Sequence, residues 1–131
     1  MSRSGAAAGY RIDHNGSVTT LACLSTHYHA DSMGSLTEKL KEADESTPSG
    51  LVVVDLTHVV LFSSTALRAL RAAHLALEGR GGRIVAAGGG ELVAGVLKFA
   101  PFLPHYPTVE AAVQALSGGA DAKAINVRDK L

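Results

Sequence analysis

The sequence has no tryptophan, a single cysteine and few aromatic residues. Cys23 has no second cysteine with which to form an internal disulfide, so a reducing, cytoplasmic setting is expected. Neither sign of charge is in excess, because 12 Lys and Arg residues balance 12 Asp and Glu residues. This balance predicts no binding to nucleic acid and none to an anionic membrane surface. No apolar run approaches the roughly 20 residues of a membrane-spanning helix, so no membrane span is expected.

The length of 131 residues is typical of one compact domain. A hydrophobic content of 47% with 14 glycines is ordinary for an α/β protein. We predict a single domain over residues 9–117 and a flexible tail over 118–131. The first eight residues lack the apolar core of a signal peptide, and we interpret them as a disordered arm or a remnant of cloning.

Strand-like and helix-like segments alternate along the chain. Strands are predicted at 17–25, 51–56, 83–88 and 105–107, with "YRI" as a hairpin partner before the Asn15-Gly16 turn. Helices are predicted at 63–79, 89–100 and 108–116, together with one capped by Asp31 or Ser32. This alternation predicts the α/β class, with a mixed but mostly parallel sheet of four to five strands covered by about four helices.

The stretch "LVVVDL" is typical of a strand that is buried on both faces, and "SSTALRALRAAHLALEG" follows it as an amphipathic helix. The apolar positions of this helix share one face: Ala66, Leu70, Ala73 and Leu77. The other face carries Ser64, Arg68, Arg71 and Leu75. Two interpretations are open from spacing alone: a serine that only caps a helix with a solvated arginine face, or a contact surface for another protein.

The stretch "THYHAD" offers a different chemistry. It resembles the metal-binding T-H-x-H-x-D-H motif of metallo-β-lactamase-type hydrolases, with His27, His29 and Asp31 in register. The next histidine of that motif is Ser32 here, and the chain is short for that fold. No metal site is therefore predicted, and a zinc hydrolase fragment stays as the weaker alternative to a polar loop.

The stretch "DLTHVVLFSSTAL", residues 55–67, resembles the central motif of the STAS domain, Asp-Leu-Ser/Thr-x-Val-x-Phe-x-Asp-Ser-Ser-Gly-Leu. Within that group it is similar to the bacterial anti-sigma factor antagonists, also called anti-anti-sigma factors. The resemblance extends over residues 10–116, including "GGRIVAAGGGELVAGVLKFAPFLPHYPTVEAAVQAL". Two positions depart from the motif, because Ser63 replaces its second Asp and Ala66 replaces its Gly.

The resemblance implies a non-enzymatic interaction domain without a cofactor. Its partner would be an anti-sigma factor of the serine-kinase type, and the domain would be a monomer or a weak dimer. The serine phosphorylated in that family matches Ser64, with Ser63 and Thr65 as less favoured acceptors. The implied partner-binding residues are Ser63, Ser64, Thr65, Arg68, Arg71, Leu75 and His29.

A phosphate at Ser64 would add about −1.5 to −2 charge at a helix N-terminus, which accommodates anions. Arg68, four residues further on, could pair with it. A docked partner would be displaced by the hydrated dianion, so the expected switch needs no refolding. Because Ser63 replaces an acidic residue, a STAS module that signals or senses a ligand without phosphorylation is the alternative.

Overall fold

The computed structural model describes residues 9–28 and 33–117. Its strands are β1 Tyr10–Asn15, β2 Val18–Cys23, β3 His27–Tyr28, β4 Leu51–Asp55, β5 Leu61–Phe62, β6 Arg83–Ala87 and β7 His105–Tyr106. Its helices are α1 Met33–Glu45, α2 Ser64–Glu78, α3 Glu91–Leu97 and α4 Val109–Leu116. None of these helices combines the length and the hydropathy that a bilayer crossing requires.

Five strands form the main sheet, in the order β1-β2-β4-β6-β7. The β1–β2 pair is antiparallel, and every other neighbouring pair is parallel. Gly16 adopts a positive φ of 64° in the hairpin loop, which confirms the turn predicted at Asn15-Gly16. The predicted mixed, mostly parallel sheet with four helices is confirmed.

Strand β4 is buried on both faces, as its continuous apolar run predicts. Val52 and Val54 belong to the larger core, while Val53 between them belongs to a second, smaller one. Helices α1, α2 and α3 bury Leu40, Leu70 and Leu97 in the larger core, whereas α4 buries Leu116 in the smaller one. The helix that begins near Ser64 therefore rests on the three-helix face of the sheet.

The structure corrects the sequence analysis at one helix and adds a second sheet. Helix α3 covers only 91–97 of the predicted 89–100, because Gly89 has a φ of 92° and tight turns follow Leu97. The second sheet pairs β3 with β5 in parallel. Strands of two residues are too short to show a periodicity, so this pair could not be predicted from the sequence.

Candidate functional site

The carboxyl ends of β2, β4 and β6 lie at one edge of the main sheet, because these strands are parallel. The connection from β4 to α2 starts at this edge and is held by hydrogen bonds. Asp55 Oδ1 accepts hydrogen bonds from the Thr57 backbone N–H at 2.9 Å and from the Thr57 hydroxyl at 2.5 Å. The Leu56 N–H donates to the Ala87 carbonyl at 2.7 Å. These bonds fix the path of the chain toward the start of α2.

The two neighbouring serines at the start of α2 have different roles. Ser63 is the N-cap: its hydroxyl accepts a hydrogen bond from the Ala66 N–H at 3.2 Å, and its carbonyl accepts one from Leu67 at 3.1 Å. Ser64 is the first helical residue and is exposed, whereas Thr65 is half-buried. Among the described residues, no hydrogen bond involves the Ser64 hydroxyl. The helix therefore has its cap without Ser64.

The two faces of α2 have the predicted burial. Ala66, Leu70 and Leu77 are buried, and Ala73 is half-buried. On the opposite face, Ser64, Arg68, Arg71 and Leu75 are all exposed, and Leu75 exposes 55% of its surface. This face therefore combines exposed apolar area with two guanidinium groups, and arginine is enriched at protein interfaces.

Phe102 also contributes to this surface, and the sequence analysis missed it. The Arg71 guanidinium carbon lies 5.9 Å from the centroid of the Phe102 ring, within the range of a cation–π contact. The His74 ring packs against the same phenyl group, with centroids 5.3 Å apart. His74 is half-buried, and its Nε2 is also 3.7 Å from the Glu78 carboxylate. No local pattern reveals a partner about 30 residues away in the chain.

Apolar side chains are also exposed near the start of α2. Leu24 follows β2, while Val60 and Leu61 precede α2, and they expose 38%, 50% and 44% of their surfaces. The N–H groups of Val60 and Leu61 both donate to the Thr26 carbonyl, at 2.7 and 3.0 Å. This bond pair joins the segment after β2 to the segment before Ser63.

The residues of the zinc alternative are only partly described. His27 is exposed in β3, and its Nδ1 is 2.8 Å from the Thr26 hydroxyl. His29 and Asp31 lie outside the described residues, as do the predicted caps of α1. Over residues 9–28 and 33–117 there is no group of three or more His, Cys, Asp or Glu residues arranged to hold a metal ion.

One histidine at the same edge of the sheet is buried. His105 in β7 donates from Nε2 to the Gly88 carbonyl at 2.7 Å. Burial lowers the pKa of His105 below its usual value, and this backbone hydrogen bond partly opposes that shift. The imidazole therefore serves here as a neutral hydrogen-bond donor to the glycine turn that follows β6.

Solved structures of similar architecture include two anti-sigma factor antagonists. One, from Mycobacterium paratuberculosis, is 20% identical with a TM-score of 0.72, covering 82% of this chain and 92% of that chain. The other, SpoIIAA in its unphosphorylated form, is 13% identical with a TM-score of 0.69, covering 83% of this chain and 96% of that chain. No protein-family model matches the sequence, and neither does any curated protein. The likeness confirms the predicted STAS-like fold.

Proposed function

We propose that this chain is an anti-sigma factor antagonist whose docking to an anti-sigma factor is switched off by phosphorylation of Ser64. The observation that carries the proposal is that Ser63 caps α2 while the adjacent Ser64 is exposed. The shared fold with anti-sigma factor antagonists supports the choice of partner. Residues 9–117 would form this domain, acting in the cytoplasm as a monomer or weak dimer.

The position of Ser64 explains how a phosphate could act without unfolding the helix. The first N–H groups of a helix lack intrahelical acceptors and carry partial positive charge, so an anion is tolerated there. A docked partner would instead face a bulky, hydrated dianion of about −1.5 to −2 charge. A loss of about 3 kcal/mol at such a contact corresponds to roughly 100-fold weaker binding.

Under this proposal the chain is a substrate of the partner kinase and has no catalytic centre of its own. The first experiment incubates the chain with ATP and its co-purified anti-sigma factor and measures its intact mass. We expect one added phosphate on the wild type and none on Ser64→Ala. Phosphate that persists in Ser64→Ala would move the assignment to Ser63 or Thr65.

The second experiment measures capture of the anti-sigma factor by variants. Ser64→Glu should weaken capture at least 10-fold, whereas Ser17→Glu should leave it unchanged. Ser17 is a matched control because it is also exposed but lies in the β1–β2 loop, at the opposite edge of the sheet. Equal capture by the wild type and Ser64→Glu would contradict the proposed interface.

Docking without phosphorylation is the second candidate function. It is favoured by Ser63, a neutral cap at the position where the family motif has an acidic residue. This candidate predicts capture of a partner by the wild type and no mass increase with ATP. The two experiments together separate it from the phosphorylation switch.

A further inference from the structure

The outer surface of α2 is basic over most of its length, and its one acidic residue is Glu78 at the C-terminal end, 3.7 Å from His74. Among residues 56–77 there is no Asp or Glu, although the whole chain has 12 acidic residues. The same stretch carries Arg68 and Arg71, both of them exposed. Residues 92–109, which include Phe102, also contain no acidic residue and contribute Lys98. We call this part of the surface the basic face; it consists of Arg68, Arg71, Leu75 and Phe102.

The arginines of the basic face differ from three other cations, which are paired with carboxylates. Arg11 pairs with Asp13, Lys39 with Glu42, and Arg80 with Asp44. Neither Arg68 nor Arg71 forms a salt bridge with any residue in the described part of the chain. Two neighbouring exposed guanidinium groups without carboxylates leave strong hydrogen-bond donors available to another molecule.

One of these guanidinium groups is already positioned. Arg71 lies over the Phe102 ring, which restricts its side chain before any partner arrives. A side chain that is held in place loses less conformational entropy on binding. Leu75, one turn further along α2, provides exposed apolar area next to it. Arginine and aromatic side chains are both enriched at protein interfaces.

We propose that the anti-sigma factor docks on the basic face through carboxylates that pair with Arg68 and Arg71, around an apolar contact with Leu75. This inference rests on the proposed function and specifies the chemistry of its partner. Charge complementarity carries it, since two exposed arginines that pair with no carboxylate in the described part of the chain favour an acidic counterpart. A basic partner surface would repel both guanidinium groups, and a neutral one would offer them only the weaker, uncharged acceptors.

The same arrangement explains why a phosphate at Ser64 would prevent the partner from binding. Arg68 lies one helical turn from Ser64, so the phosphate would compete with the partner's carboxylate for this guanidinium. The dianion would also bring the local charge of about +2 near zero and repel the partner's carboxylates. Competition and repulsion act in the same direction.

The test compares the dissociation constants of charge variants for the co-purified anti-sigma factor at several salt concentrations. The double variant Arg68→Glu/Arg71→Glu should bind at least 100-fold more weakly, and wild-type affinity should fall as salt rises. Arg83→Glu is the matched control, because Arg83 is exposed at the start of β6, at the opposite edge of the sheet. This control should bind within about twofold of the wild type.

A second double variant distinguishes the loss of positive charge from a loss of folding. Arg68→Lys/Arg71→Lys keeps both charges and should retain binding within about 10-fold, with a melting temperature close to that of the wild type. Wild-type affinity for the double Glu variant, or affinity independent of salt, would overturn the acidic-partner inference while leaving the proposed function standing. Failure of the wild type to bind any anti-sigma factor would overturn the proposed function itself.

Discussion

The two ends of α2 use the same residue types in opposite ways. At the C-terminal end, Arg80 donates to Asp44 and to the carbonyls of Thr47 and Pro48, the latter two at 3.1 and 3.3 Å. Toward the N-terminal end, Arg68 is exposed and pairs with no carboxylate among the described residues. The difference suggests that one end of the helix fixes the fold and the other is available for recognition.

The largest expected effect tests the packing near the fixed end of α2. A Cβ on Gly82 would lie 2.9 Å from Gly50 Cα and even closer to the Gly50 carbonyl oxygen. We expect Gly82→Ala to lower the free energy of unfolding by about 3 kcal/mol, measured by urea denaturation. The control is Gly95→Ala in α3, where a Cβ has open space. This substitution should raise the free energy of unfolding by about 0.5–1 kcal/mol. Similar stabilities for the two variants would contradict the tight packing at Gly82.

The next effect compares arginines at the two ends. Arg80→Ala should lower the free energy of unfolding by about 2 kcal/mol, because four carbonyl or carboxylate acceptors lose their donor. Arg68→Ala should change it by less than about 0.5 kcal/mol, as is usual for an exposed position. The same denaturation experiment measures both. An equal loss of unfolding free energy in both variants would contradict the view that one end of α2 stabilises the fold and the other is available for partner recognition.

A smaller effect separates the two serines. Ser63→Ala removes the acceptor for the Ala66 N–H and should cost about 1 kcal/mol of unfolding free energy. Ser64→Ala should cost less than about 0.5 kcal/mol, since its hydroxyl is exposed and outside the cap. Thermal melts followed by circular dichroism measure both. The reverse order would assign the capping role to Ser64.

The effect of a negative charge at Ser64 on stability should be smaller again. Ser64→Glu should raise the free energy of unfolding by about 0.3–1 kcal/mol at low salt, because an anion in the first turn interacts favourably with the helix dipole. The gain should diminish in 1 M salt. Matched melts at the two salt concentrations test this. A destabilised Ser64→Glu would mean that the switch disturbs the fold as well as the interface.

The smallest effect concerns His105, where burial and a backbone hydrogen bond act in opposite directions on the pKa. Because the folded pKa is lowered, the unfolded chain binds the proton more readily, and stability should fall as pH drops below about 6.5. Melting temperatures between pH 7.5 and 5.5 measure this trend. His105→Gln should flatten it, and an unchanged pH profile would rule out His105 as its source.

The sequence predicted the architecture well because repeated patterns determine it. The continuous run of β4 and the helical spacing of Leu70 and Leu77 depend on burial alone, and burial follows residue type. The assignment of capping to Ser63 could not be made, because either of two adjacent serines can cap a helix. The cation–π contact of Arg71 with Phe102 was also not predictable, since it depends on how the segment after α3 folds back onto α2.

The contact between Arg71 and Phe102 has a practical consequence, because the chain contains no tryptophan. A Phe102→Trp substitution would give the protein a single indole, located under the guanidinium group of the basic face. Its fluorescence would respond when that guanidinium moves, without a dye and without interference from other indoles. Partner arrival at the outer side of α2 could then be followed in real time by stopped-flow emission.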